Sequence, residues 1–390
     1  MKKRILRYLK HLLLTCIVIL CTGMLLIVYE NGSVHYADNP QRMNWHNEGP
    51  YLFYDNDSTL SVNHIQGDHT NGFFVKQTKY NTKNTLSSKV FFNLDSTSFQ
   101  VSINPKVKIP KAVYADHEPV IAISDIESGY KTFRDFLIAH HVIDKNLNWT
   151  FNKGHLVLLG DFVDRGFSTT QVLWFIYKLE QEATKYGGTV HFILGNHELK
   201  NLQGDYNSAS EKYHYVAAIM EKQQFELYNS SSFIGKWMAS KNTLEVINDH
   251  LFVHGGIHPK LATFNTNIHQ INNIVRKNYA LTSFPKPEKT LEQFLISRRT
   301  GPSWYRGYFK NNLSEEEITA GLDFFKVKAV VVGHTIQRNV EIRHHGKVIS
   351  IDVVHPKDYH KNWPNGKSEG LLIENGTYFR LLHTGRKISL

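Results

Sequence analysis

Apolar and polar positions along this chain fall into three textures. The first is one apolar run, Leu12–Val28, interrupted only by Thr15, Thr22 and Gly23. A run without a polar face is a poor surface helix, and its length approaches the roughly 20 residues that span a bilayer. The second texture, residues 30–115, is polar and aromatic. Alternating stretches at Ser88–Leu94 and Ser98–Ile103 predict a small β-rich extension there.

The third texture begins at Pro119, where short apolar runs recur and most end in Gly, Asp, Asn or His. They are Val120–Ser124, Leu156–Gly160, Val190–Gly195, Leu251–His254 and Ala329–His334. Runs of this length, bounded by turn residues, predict buried strands. Between the first three lie helical spacings. Phe133, Phe136, Leu137 and His140 share a face of Tyr130–His140, and Val172, Phe175, Ile176 and Leu179 share a face of Thr169–Tyr186. The pair Gly187-Gly188 ends the second helix. This alternation predicts an α/β sheet whose functional loops lie at the carboxyl ends of its strands. Residues 205–247 predict a mainly helical insertion, placed to form a cap facing the substrate. Further strands are expected at Lys347–Val353, Gly370–Glu374 and Tyr378–Leu382.

Charge matters mostly at the N-terminus. The net charge of +10 draws five units from Lys2, Lys3, Arg4, Arg7 and Lys10. The rest is spread without basic tracts, so nucleic-acid binding is not expected. A basic flank before an apolar run reads as an uncleaved signal anchor, with a cleaved signal peptide as the alternative. Positive charge stays on the cytoplasmic side, so the rest of the chain is expected to be extracytoplasmic. Both cysteines, Cys16 and Cys21, lie inside that run, which leaves the remainder without disulfides. The expected division is 1–29 for the basic flank and anchor, 30–115 for the juxtamembrane extension and 116–390 for a catalytic domain.

The polar residues that close the strands carry chemistry. They read Ser124-Asp125-Ile126-Glu127, Gly160-Asp161-Phe162-Val163-Asp164-Arg165-Gly166, Gly195-Asn196-His197-Glu198, His254-Gly255-Gly256 and Gly333-His334-Thr335. Strand ends of this kind bring carboxylate, amide and imidazole groups to one point, as a binuclear metal site requires. Two cations a few ångströms apart need a shared carboxylate, and Asp161 is the natural bridge. The histidines His344, His345, His355 and His360 read as surface residues, and the Trp174, Phe175 and Tyr177 cluster as helix packing.

With these five blocks in order, the chain resembles the calcineurin-like metallophosphoesterase superfamily over residues 119 to about 383. It is most similar to the serine/threonine protein phosphatase branch and its bacterial relatives, which include diadenosine tetraphosphate hydrolases and Shewanella-like phosphatases. The resemblance implies an αββα sandwich of two β-sheets flanked by helices. It implies Asp125 on the first metal, Asp161 as the bridge, and Asn196, His254 and His334 on the second metal. Arg165 and Asn196 would meet the substrate, and His197, oriented by Asp164, would protonate the leaving oxygen. The segment Thr300-Gly-Pro-Ser-Trp-Tyr-Arg-Gly307 is similar to one in the bacterial relatives and suggests Arg306 as a second phosphate clamp.

One departure stands out. The family's first motif carries His two residues after the Asp, and this chain has Glu127 there. The expectation is that Glu127 also ligates the first metal, making an all-oxygen site that favours Mn²⁺, with Mg²⁺, Fe or Zn²⁺ as other candidates. The expected reaction is hydrolysis of phosphate monoesters, on protein or small molecule, by a hydroxide bridging two divalent ions. The alternatives are a dinucleoside polyphosphate or nucleotide hydrolase, and a non-catalytic phosphate-binding protein created by the change at 127.

Overall fold

The structure is a computed structural model that describes residues 2–30, 32, 34–282, 288–310, 313–364 and 366–390. Two six-stranded sheets form its centre. The first runs in the order Thr189–Phe192, His155–Leu158, Val120–Ile123, Glu369–Glu374, Thr377–Leu382, Lys387–Ser389. The second runs Glu341–Arg343, Val348–Ser350, Ala329–Val332, His250–Val253, Leu244–Ile247, Val113–Tyr114.

Why strands such as Val120–Ile123 and Ala329–Val332 are apolar at every position becomes clear from their two faces. Along a strand, successive side chains point to opposite sides. Val120, Ala122, Val157 and Leu159 of the first sheet meet Phe252, Ala329, Val331 and Ile349 of the second in an inter-sheet core. Their neighbours Ile121, Ile123, Leu156, Leu158, Val330 and Val332 face outward into a second core under the helices. Both faces are therefore dry, and the molecule has the expected sandwich of two sheets between helical layers.

The β-rich extension is present as a three-stranded antiparallel sheet, Glu48–Asn56, Thr59–Asp68 and Gly72–Asn81, and a hairpin of Leu86–Phe92 with Thr97–Ile103. It packs on the helix Thr169–Lys185. The Trp174 indole N–H donates to the Pro50 carbonyl at 2.8 Å, and the Tyr51 and Thr170 hydroxyls lie 2.8 Å apart. Trp174, Phe175 and Tyr177 are buried packing residues, with the Trp174 ring stacked on Phe233.

Residues 205–247 hold the helices Glu211–Ile219 and Phe233–Ala239 and then enter the second sheet at Leu244–Ile247. None of them lines the site cavity described below, but the segment reaches its rim, where the Arg165 backbone N–H donates to the Ser208 carbonyl at 3.0 Å. The helix Phe233–Ala239 packs against the strand Glu48–Asn56. At the N-terminus, Lys2–Tyr29 is one 28-residue helix with no buried residue, long and apolar enough to cross a membrane; a signal sequence has the same character.

Candidate active site

Every sequence block that closes a strand delivers its polar residue to the same edge of the sandwich. Asp125, Asp161 and His334 each follow a parallel strand, and each has a left-handed backbone, with φ of 54°, 56° and 64°. Glu127, Asp164 and Arg165 share that conformation at 47°, 69° and 57°. For non-glycine residues this costs about 1–2 kcal/mol each, and such strain concentrates where side-chain direction serves function. Gly160, just before Asp161, has φ of +80°, and a Cβ there would lie 2.5 Å from Gly195 Cα and 2.6 Å from His254 Nδ1. Only glycine permits that approach.

Asp161, His254 and His334 are buried, and one ligating atom of each lies within 4.8 Å of the others. His254 Nδ1 donates to the Leu159 carbonyl at 2.7 Å, which leaves Nε2 3.2 Å from Asp161 Oδ2 and 3.2 Å from Asn196 Oδ1. An imidazole fixed in this way presents a defined nitrogen to a cation. His334 Nε2 is held 3.1 Å from the Trp304 carbonyl, and its backbone N–H donates to Asp125 Oδ2 at 3.2 Å.

Electrostatics supports the same reading. Burial pushes the Asp125 carboxyl up to about 7, with Asp161 adding to the shift and His254 opposing it. Burial works against protonated His254, but Asp161 and Asp125 lift it to about 10. Burial and the His254 charge pull His334 down to about 2. The carboxylates thus recruit a proton onto His254 where a cation would satisfy them better, and metal binding to imidazole displaces such protons. The donor set of carboxylates, amide and imidazoles fits a pair of divalent ions.

Beside this cluster stands a hydrogen-bonded dyad. His197 Nδ1 lies 2.7 Å from Asp164 Oδ2, and the other Asp164 oxygen accepts from Asn201 Nδ2 at 2.8 Å. His197 Nε2 points to the cluster, 3.8 Å from Asp161 Oδ2 and 3.1 Å from Arg165 Nη2. Burial opposes its protonation, but Asp161 and Asp164 raise the imidazole above its ordinary value.

Glu198, the last residue of its motif, has a role that the sequence did not reveal. Its fully buried carboxylate accepts backbone N–H groups from Gly195, Asp161, Phe162 and Val163 at 2.8–3.2 Å, tying two motif loops together.

A cavity of about 500 Å³ opens over these groups and is lined by Asp125, Asp161, Asn196, His197, Arg165, Arg306 and His334. Arg306 is anchored on the His334 carbonyl and on Thr335 Oγ1. Glu127 also lines it, but its carboxylate is engaged elsewhere: one oxygen pairs with Arg165 and the other with Lys357 Nζ at 2.5 Å. It is not part of the Asp161–His254–His334 cluster.

Three further lining residues escaped sequence reasoning: Asp352, His355 and Lys357. Asp352 closes the strand run Val348–Ile351, the same signature that marked Asp125 and Asp161, and burial with the Asp125 charge pushes its carboxyl well above the usual range. His355 is not the surface residue its sequence suggested. It is buried, with Nδ1 2.8 Å from Ser368 Oγ, and burial pulls its imidazole down to about 4. A larger cavity of about 670 Å³ lies around Asp38, Lys131, Asp358 and His360, sharing only Lys357 with this site. Among the described residues it holds no metal-ligating cluster, so chemistry rather than size locates the site.

Comparison with known proteins agrees with this geometry. The profile of the family described as calcineurin-like phosphoesterase matches residues 118–338. An uncharacterised protein of Schizosaccharomyces pombe is 31% identical over 277 residues, covering 68% of this chain and 77% of its own length. Shewanella-like protein phosphatase 1 of Plasmodium berghei is 29% identical over 238 residues, 57% of this chain and 62% of that protein. Among solved structures, the cold-active protein-tyrosine phosphatase of a psychrophilic Shewanella superposes with a TM-score of 0.74 at 32% identity, covering 88% of this chain and 99% of that one.

Proposed function

This chain belongs to the calcineurin-like phosphoesterase family and is a phosphate ester hydrolase, and from that premise we propose that it cleaves phosphate monoesters, with His197 as the general acid. The observation that carries this reading is the 2.7 Å Asp164–His197 contact set beside the Asp161–His254–His334 cluster in one cavity. A phosphate-binding protein needs the cluster but has little use for an oriented acid, which argues against the non-catalytic alternative.

Asp125, Asp161, Asn196, His254 and His334 are the residues that would hold two divalent ions, with Asp161 shared. When bound, such ions supply an activated water and positive charge for the phosphoryl oxygens. Arg165 and Arg306 line the same cavity and offer planar forks to those oxygens. Asp164 holds His197 Nδ1, so Nε2 is the nitrogen that hands a proton to the departing oxygen. Carboxylate-rich surroundings favour a hard ion at the first position, and Mn²⁺ is our choice. Glu127 fits better as an anchor for Arg165 and Lys357 than as a ligand.

Phosphorylated protein side chains are the favoured substrate, and similarity to a protein-tyrosine phosphatase supports an aryl phosphate. We also read the N-terminal helix as a membrane anchor, residues 30–115 as an extension docked on the catalytic unit, and residues 116–390 as that unit, facing out of the cytoplasm. Chelated protein, reconstituted with Mn²⁺ and given phosphotyrosyl and phosphoseryl peptides, nucleotides and dinucleoside polyphosphates, tests the substrate. Turnover of phosphopeptides above the nucleotides supports the proposal, and the opposite order contradicts it.

A further inference from the structure

We propose that Asp352 is a ligand of the first metal, filling the coordination position that the His-to-Glu change at 127 vacates. The inference rests on reading the cluster as a two-metal site and goes beyond it by naming a residue outside the family's motifs.

Its position in the sheet is the first ground. The strand Val348–Ser350 pairs in parallel with Ala329–Val332, with Val332 opposite Ser350. His334 stands two residues beyond Val332, and Asp352 stands two residues beyond Ser350. Neighbouring parallel strands therefore deliver the two side chains at the same level of the same sheet edge. Asp125 likewise follows its strand, Val120–Ile123, by two residues.

The second ground is what surrounds the carboxylate. Asp352 is 2% exposed, yet it lines the site cavity. Among the described residues no hydrogen bond or ion pair reaches its side chain; only its backbone carbonyl is engaged, by Gln337 N–H at 2.9 Å. The charges that act on it most are Asp125, then His254, then Asp161. This buried carboxylate has no hydrogen-bond donor; the Arg306 guanidinium offsets part of its charge, and a cation shared with Asp125 and Asp161 would offset the rest. Glu127 is not available for that task, because Arg165 and Lys357 already hold both its oxygens.

The test uses the full chain in detergent, stripped of metal and titrated with Mn²⁺ by calorimetry and electron paramagnetic resonance. Wild type and Glu127→Gln should each bind two ions and show a spin-coupled signal. Asp352→Asn should weaken one of the two ions at least tenfold and give an uncoupled signal. Because Asn keeps the shape of the carboxyl and adds no charge, the metal-free melting temperature should equal or exceed that of wild type, while the rise produced by Mn²⁺ should shrink. Two coupled ions in Asp352→Asn with affinity within twofold of wild type would overturn the proposal. So would a lower metal-free melting temperature with an undiminished rise, which marks a structural role. A wild type that takes up only one ion would overturn the two-metal reading itself, and that result appears before any substitution is compared.

Discussion

Lys357 places its ammonium nitrogen 2.5 Å from a carboxylate oxygen of Glu127, across 230 positions of sequence. The same carboxylate holds Arg165, so one acid organises two cations at the wall of the site. The two ion pairs support the proposal that Glu127 holds positive charge at the site rather than a metal.

From this follows a kinetic expectation for Glu127→Gln. Arg165 is half-exposed, and a pair of this kind contributes on the order of 1 kcal/mol or less. KM for a phosphomonoester should rise a few-fold, with kcat within about twofold and metal content intact. Metal analysis with steady-state kinetics checks it, and loss of one ion would return Glu127 to the coordination sphere.

The pH profile should carry the signature of the dyad. His197 acts as an acid only while protonated, and its surroundings raise it above the ordinary value of 6.5. The protonated fraction falls as pH rises through the folded-state value, so loss of this proton should form the alkaline limb of the profile. Asp164→Asn removes a supporting charge and should move that limb towards acid. A limb that stays in place in this variant would detach Asp164 from His197.

Glu198 should matter for architecture rather than for the reaction. Its four backbone contacts fix the loops of Asp161 and Asn196, and hydrogen bonds to a charged group are worth about 1.5–3 kcal/mol each. Glu198→Gln turns an amide donor towards backbone donors, so stability in urea should fall by roughly 2 kcal/mol or more. Unchanged stability would show that the loops hold themselves.

The N-terminal helix makes a topological claim. A β-lactamase fused to the C-terminus should protect a bacterial host from ampicillin, because only exported lactamase reaches its target. A sensitive host that nevertheless makes the full-length fusion would place the catalytic unit in the cytoplasm.

Much of this was legible in the sequence, and physical reasons explain where legibility stopped. The strands were visible because both faces are buried, which makes Val120–Ile123 or Ala329–Val332 apolar throughout. The ligating residues were visible because each ends such a run, and all but Asp125 stand beside a glycine. Asp352 ends its run without a flanking glycine or a recognised motif, and so passed unnoticed. Lys357 and His355 lie on a loop, where no periodicity marks direction. Residues 205–247 hold two helices, as expected, but also the strand Leu244–Ile247, and a helical reading does not say what a helix packs on. Here Phe233–Ala239 packs on both the extension and the helix Asn196–Leu202.

The central claim is that His197 protonates the leaving oxygen in phosphate ester hydrolysis. The most direct measurement is the dependence of kcat/KM on leaving-group pKa, for wild type and His197→Ala, with Mn²⁺ bound. Poor leaving groups such as alkyl phosphates need the proton, so the variant should lose about 10²–10⁴-fold with them. Nitrophenyl phosphate scarcely needs it and should lose far less, making the variant's dependence steeper than that of wild type. Equal losses across the series, with metals retained, would contradict the account.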